Sequence, residues 1–243
     1  MRMKKWMKQR LLLFGCLTAG IILLGIFTAE EMLMPVFSVS DSTKHTLVLD
    51  AGHGGMDGGA VAADGTTEQD INLNIALTCR DLARFLGIST VMTREDNQSL
   101  DYNLENTIRQ NKVDDIHARE RIANEQSNPV FLSIHLNKFS DTSYSGAQTF
   151  WSQNNLDGQM LAENIQTSLT EGLKPSKERS AKPAENSIYL MKQLTCPAVI
   201  VECGFLSNVE ETEKLKQTEY QMRIAVCILS GYCNCMGKIE ETT

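Results

Sequence analysis

From residue 45 onward the chain alternates short apolar runs with longer segments of helical period. "HTLVL" at 45–49, "ISTVMTR" at 88–94, "NPVFLSIHLN" at 128–137 and "PAVIVECGF" at 197–205 are short and rich in β-branched residues, and they read as strands. "GAQTFW" at 146–151 and "SIYLM" at 187–191 are two further strand candidates. Between them lie helical patterns. "EQDINLNIALTCRDLARFLG" at 68–87 puts Ile71, Ile75, Cys79, Leu82 and Leu86 on one stripe and stops at Gly87. Further helices are predicted at 116–126, 155–173 and 211–233. Strands alternating with helices of this length predict an α/β fold, a mainly parallel twisted sheet with helices on both faces in a single domain.

In sheets of this kind, functional groups gather just beyond the carboxyl ends of the strands. His53 follows "TLVLD", His135 ends "VFLSIH" and Glu202 ends "AVIVE". Glu68 opens the first long helix, and a glycine-rich loop joins it to His53. Two imidazoles and a carboxylate suit Zn2+ and leave a fourth tetrahedral position for water. Glu202 could then serve as general base at the same sheet edge. Gly52 and Gly54 flank His53, and they are expected to let the loop lie flat against such a site. Each residue also has a plain structural reading: a turn histidine, a glutamate favoured by the helix dipole, a histidine capping a carbonyl. Four of them at converging element ends favour the metal site.

Composition narrows the classes. The 243 residues are 42% hydrophobic and 22% charged, enough for one domain with a substantial core. A net charge of −7 argues against nucleic acid as a partner, since phosphate binding needs a basic face. The amino terminus differs from the rest. "MRMKKWMKQR" is basic, and Leu11 to Thr28 carries no charge, so residues 1–29 read as a signal or membrane-anchor segment that sends the remainder across the membrane. Its end is a poor cleavage site, which favours a retained anchor. Residues 30–44 then form a linker, 45–236 the catalytic domain and 237–243 a tail. Seven cysteines without paired spacing make no disulfide framework, and most are expected to act as small buried hydrophobes.

"LDAGHGGMDGGA", Glu68 opening "EQDINLNIA", "TR" at 93–94, "RERIAN" at 119–124, "SIHLN" at 133–137 and "VECGFLSN" at 201–208 occur in a fixed order. Together they resemble the zinc-dependent N-acetylmuramoyl-L-alanine amidases of the amidase-3 family, over roughly residues 45–235. Within it, a short anchored form without wall-binding repeats is similar to the CwlD-type germination amidases of spore formers. The resemblance implies peptidoglycan as substrate, Zn2+ held by His53, Glu68 and His135, and Glu202 as the catalytic carboxylate. Where the family usually has Glu-Lys, this chain has Glu68-Gln69; the ligand itself is kept. Asn137, on the strand face of His135, could hydrogen-bond the substrate amide. Arg94 and Arg119 could fork onto peptide carboxylates, or could equally form salt bridges inside the domain. An activating protein partner is left open.

Three other readings compete. Cys203 could be a thiol nucleophile, although adjacent strand residues face opposite ways and Cys203 should not share a site with Glu202. The domain could bind wall without hydrolysing it, or cut within the stem peptide.

Overall fold

Six strands build one sheet in the computed structural model, which describes residues 45–242. They are β1 (Thr46–Ala51), β2 (Thr90–Met92), β3 (Pro129–Asn137), β4 (Gln148–Trp151), β5 (Lys182–Pro183) and β6 (Ala198–Phe205), in the order β2-β1-β3-β6-β4-β5. Strands β2, β1, β3 and β6 run parallel; β4 pairs antiparallel with β6 and parallel with β5. The helices are α1 (Glu68–Phe85), α2 (Ile108–Asn124), α3 (Leu156–Leu173), α4 (Tyr189–Gln193), α5 (Val209–Leu215) and α6 (Thr218–Thr242). The predicted membrane segment at 1–29 and linker at 30–44 lie outside the described residues. No helix among those described is long and apolar enough to cross a membrane.

The central strands are apolar on both sides because both sides are covered. Leu47, Leu49, Leu132, Ile134, Val199 and Val201 pack with Ile75 and Cys79 of α1, Leu161 and Ile165 of α3, and Ile224 and Ile228 of α6. The opposite face carries Val48, Phe131, Ala198 and Ile200, packed with Ala123 of α2 and with Met191 and Leu194 at α4. This is the predicted doubly covered α/β sheet.

Three elements depart from the sequence expectation. "SIYLM" is not a strand: α4 is a short helix whose turns close locally, Lys192 N donating to Ile188 O and Leu194 N to Leu190 O. Its β-branched start misleads, because burial against the second face outweighs intrinsic preference. Helix α2 begins eight residues before the predicted position 116, at Ile108, where Thr107 and Gln110 form a reciprocal capping box. The predicted closing helix is two: Asn208 caps α5, Gln221 Nε2 closes its far end on Leu215 O, and α6 runs on through the expected tail.

Polar groups enter the second face only toward the strand ends. Asp50 is fully buried there, opposite Ser133 in the register of β1 and β3. It accepts from Thr93 Oγ1 at 2.7 Å, from Ser133 Oγ and from the guanidinium of Arg119. Arg119, 3% exposed, also donates to Ala51 O at 2.8 Å and His53 O at 2.6 Å, and pairs with Asp115. Burial alone would raise the Asp50 carboxyl; Arg119 and the two hydroxyls hold it below the usual carboxylate range. This buried pair bolts α2 to the end of β1, where the glycine-rich loop departs.

Asp50→Asn should therefore leave the Arg119 charge buried without its counter-ion. Breaking such a pair costs about 3–5 kcal/mol. Urea unfolding of the variant is expected to show a correspondingly lower midpoint with an unchanged slope. A midpoint near that of the parent would mean the pair does not anchor the loop.

Candidate metal centre

Three side chains converge above the carboxyl ends of β1 and β3. His53, Glu68 and His135 each offer one ligand atom, and these atoms lie within 4.8 Å of one another. His53 sits in a left-handed conformation, φ +63°, which a non-glycine residue rarely adopts. It is held there from both sides. Gly54 and Asp57 exchange backbone hydrogen bonds of 2.9 and 3.0 Å in a minimal hairpin, and Arg119 fixes the His53 carbonyl. The strain sits at the ring the site uses, a common place for it.

Two glycines make the close approach possible. A Cβ on Gly52 would lie 2.3 Å from Nε2 of His135, and one on Gly59 would lie 2.6 Å from Oε2 of Glu68 and 2.7 Å from the His53 ring. The expectation for Gly52 holds as a matter of space. Gly54 serves by conformation as well as space, at φ +143° and with a Cβ that would lie 2.9 Å from Gln98 O.

Glu68 is 3% exposed at the first position of α1, with both oxygens occupied. Oε2 accepts from Ala60 N at 2.8 Å; Oε1 accepts from Leu136 N at 3.0 Å and Asn72 Nδ2 at 3.2 Å. Oε1 also lies 3.0 Å from His135 Nδ1 and 3.2 Å from His53 Nε2. On its far side, Nδ1 of His53 is 3.0 Å from Asp57 Oδ2, and Lys112 Nζ meets the other Asp57 oxygen at 2.9 Å. A neutral His53 that donates through Nδ1 to Asp57 turns a lone pair toward the Glu68 carboxylate. Two lone pairs at that distance require a positive species between them, a proton or a cation. Burial would lower the His53 pKa, but its bonds to Asp57 and Glu68 raise it to about 9. Burial likewise would raise Glu68, and the two histidines hold it well below the carboxylate range. The donor set, two ring nitrogens and a carboxylate with an Asp behind one ring, has the chemistry of a zinc site.

Glu202 is built differently. It lies opposite His135 in the β3–β6 register, and so on the same face. Its Oε2 is buried without a hydrogen-bond partner. Burial pushes its carboxyl up to about 7, with His135 and His53 opposing the rise and Glu68 adding to it. A carboxyl that changes charge near neutrality beside a cation site suits proton transfer.

The remaining candidates are placed less alike. Asn137 ends β3 two residues past His135, half-buried, its Oδ1 accepting from Lys138 N. Arg94 and Arg119 spend their guanidinium groups inside the protein. Arg94, 4% exposed, donates to the carbonyls of Ala51, Gly52, Gln69 and Asp96. Of the two roles weighed for these arginines, the structure displays the internal one: they tie down the loop that carries His53. The pattern of strand ends does not single out Asp57 and Asn72. Asp57 stands four residues after His53, and Asn72 one helical turn after Glu68, donating to both Glu68 and Gly52 O. Cys203 is fully buried on the opposite face, and burial drives its thiol far above the normal range, which removes it as a nucleophile beside Glu202. A pocket of about 190 Å³ opens beside His53 and His135, walled by Ile116 of α2 and by Ile188, Tyr189 and Met191 at α4.

Comparison with known proteins identifies the family. The family model of N-acetylmuramoyl-L-alanine amidase matches residues 47–234. The germination-specific N-acetylmuramoyl-L-alanine amidase of Bacillus subtilis is 33% identical over 233 residues, 93% of this chain and 94% of that protein. The CwlD amidase of Clostridioides difficile, solved in complex with the GerS lipoprotein, is 41% identical with a TM-score of 0.75, over 79% of this chain and 98% of that one. The catalytic domain of the CwlV amidase of Bacillus (Paenibacillus) polymyxa superposes with a TM-score of 0.68 at 26% identity, covering 79% of this chain and 98% of that domain. On the length of these matches, the chain belongs to the Amidase_3 family of N-acetylmuramoyl-L-alanine amidases.

Proposed function

We propose that this amidase is a zinc enzyme in which His53, Glu68 and His135 hold the metal and Glu202 moves the proton. The observation that carries the reading is the contrast between two buried glutamates. Glu68 is saturated with hydrogen bonds, whereas Glu202, across the ladder from His135, has a buried oxygen without a partner and a carboxyl that burial pushes upward. When bound, zinc supplies Lewis acidity, acidifying water and polarising a carbonyl. The bond at issue joins the lactyl carbonyl of muramic acid to the nitrogen of L-alanine. Glu202 takes a proton from the attacking water as its oxygen adds to that carbonyl. The same carboxyl returns the proton to the alanine nitrogen as the C–N bond breaks, leaving a lactyl carboxylic acid and a free amine, the acid then losing its proton to the amine. Asn137 offers its amide to the substrate from the neighbouring strand position. Asp57 holds the His53 ring in the tautomer that leaves Nε2 free to ligate.

The amino-terminal segment and the relatives support a setting for this activity. The uncharged run from Leu11 to Thr28 behind a basic flank supports export with a retained membrane anchor. Similarity to a germination-specific amidase supports action on spore peptidoglycan, and the relative solved with a lipoprotein supports a protein partner on the outer side of the membrane.

Mass spectrometry of peptidoglycan digested by the purified chain tests the bond. Free stem peptides with an amino-terminal L-alanine are expected, together with peptide-free glycan; cleavage inside the stem would overturn the assignment. Glu202→Gln is expected to keep its metal and lose turnover by at least about a hundredfold, the usual scale of general acid–base catalysis. Loss of metal in that variant would make Glu202 a ligand.

Metal analysis of the parent should find one zinc per chain. Asp57→Asn should weaken zinc affinity about 10–100-fold, as losing a carboxylate behind a ligating histidine does elsewhere. Its apo-protein melting should change little. Unaltered affinity would remove Asp57 from the site.

A further inference from the structure

Beyond Glu202 the sheet carries an irregularity that the chemistry described so far does not use. His135 pairs with Glu202, but Asn137 pairs with Phe205, so β6 holds one residue more than β3 across this interval. A bulge of that kind reverses which face the following side chain takes. Without it, Phe205 would share the side of Cys203, in the core behind the sheet. With it, Phe205 stands on the side of His135, Glu202 and Asn137.

Phe205 is the base of an aromatic group. Phe139 meets it at 5.2 Å between ring centroids and meets Tyr144 at 5.1 Å, both edge to face. The guanidinium of Arg179 lies 4.8 Å from the Phe205 ring and 5.4 Å from that of Tyr144. Arg179 is in turn held by Ser145 O at 2.9 Å and by Oε1 of Gln148 at 3.3 Å. Gln148 stands directly opposite Glu202 in the β4–β6 register. A continuous line of side chains therefore runs from Glu202 through Gln148 and Arg179 to the aromatic rings.

Phe205 is buried, yet Phe139 remains 46% exposed and Tyr144 39%. The segment that carries them is pinned. Phe139 N donates to Ser207 Oγ, Asn208 Nδ2 to Thr142 O, and Gly146 N to the Glu211 carboxylate, which also accepts from Phe205 N. Rings held rigid and open incur little ordering cost when something stacks on them. Two exposed rings among Lys138, Asp141 and Arg179 are far too small a patch for a protein interface of about 800 Å² per partner. They match a pyranose, which has an apolar face of C–H bonds and a rim of hydroxyls. Because of the bulge, the three residues from Glu202 to Phe205 span only the two from His135 to Asn137, about 7 Å at the usual rise. Phe139 and Tyr144 lie in the segment that leaves β3 after Asn137, beside the sheet edge that carries His135 and Glu202 and not within it.

We infer that Phe139 and Tyr144, backed by Arg179, form a saccharide subsite that binds a sugar of the glycan strand next to the muramic acid being cleaved. The inference rests on the amide bond assigned above. It makes the enzyme prefer extended strands over isolated muramyl peptides.

The test compares two substrates: purified peptidoglycan strands carrying stem peptides, and a muramyl peptide with no neighbouring sugar. In the full chain, replacing both Phe139→Ala and Tyr144→Ala should lower kcat/KM on strands about tenfold through KM, given the strength of aromatic stacking. Hydrolysis of the short substrate and zinc content should stay at parental values, while melting falls only by the lost packing of the two rings. Peptide-free glycan strands should inhibit the parent competitively and the variant far less. Equal loss on both substrates, or no loss on strands, would overturn the subsite. If the double variant does not fold, Phe139→Ala alone decides by the same comparison. Release of products cut within the stem peptide by the parent would instead refute the assigned bond.

Discussion

A carboxylate taken out of water must find full compensation, and the assembly of this site depends on how Glu68 does so. Its two oxygens draw together the Ala60 amide from the loop, the Leu136 amide from β3, the Asn72 side chain from its own helix and both imidazoles. They come from three separate stretches of chain, at 53–60, at 72 and at 135–136. The buried charge thus acts as a node that sets the distance between helix α1, strand β3 and the glycine-rich loop. Hydrogen bonds to a charged group are stronger than neutral ones, and leaving such a group unpaired is costly, so the node has few alternative arrangements. Asp50 with Arg119 repeats the device one layer below, fixing the root of the same loop.

Two glutamates on one sheet edge acquire opposite properties from these surroundings. Hydrogen bonds to its charged form keep Glu68 ionised, while burial without a partner raises Glu202 to about 7. Environments that push two carboxyls apart divide labour between them, one fixed in charge and one able to exchange a proton. A cation between the imidazoles would pull Glu202 downward again. Its position across the ladder from His135 therefore matters as much as its burial.

Much of this was legible in the sequence because strands end where polarity begins. "TLVLD", "VFLSIH" and "AVIVE" each announce a buried run and the residue that leaves it, and the parallel order brings those residues to one edge. Glu68 was legible as the first residue of a clear helical stripe. What escaped was long-range or decided by packing. Nothing local distinguishes Arg119, which closes a buried pair with Asp50 sixty-nine residues away, from an arginine that reaches for substrate. "SIYLM" carries strand-forming residues, yet it closes as α4 because Met191 and Ile188 cover the second face. The support given to His53 by Asp57 had a local signal, a carboxylate four residues on, but becomes meaningful only once the hairpin of Gly54 and Asp57 turns it back.

The bulge in β6 joins these observations. A regular ladder would have alternated Glu202 toward the site, Cys203 to the core, Gly204 toward the site and Phe205 to the core. The register instead gives Cys203 to the core and returns Phe205 to the side of Glu202. Gly204 is the residue at which this is sterically allowed, for a Cβ there would lie 3.0 Å from the Glu211 carboxyl carbon and 3.0 Å from Leu215 Cδ1. Glu211 in turn grips the amides of Phe205 and Gly146, so the irregular strand end and the loop before β4 share one buried carboxylate. The molecule thus uses the same solution three times, an acidic side chain drawn inside to receive backbone or arginine donors from distant segments. Among the described carboxylates, Glu202 has a buried oxygen left without such a donor, and it stands across the ladder from His135.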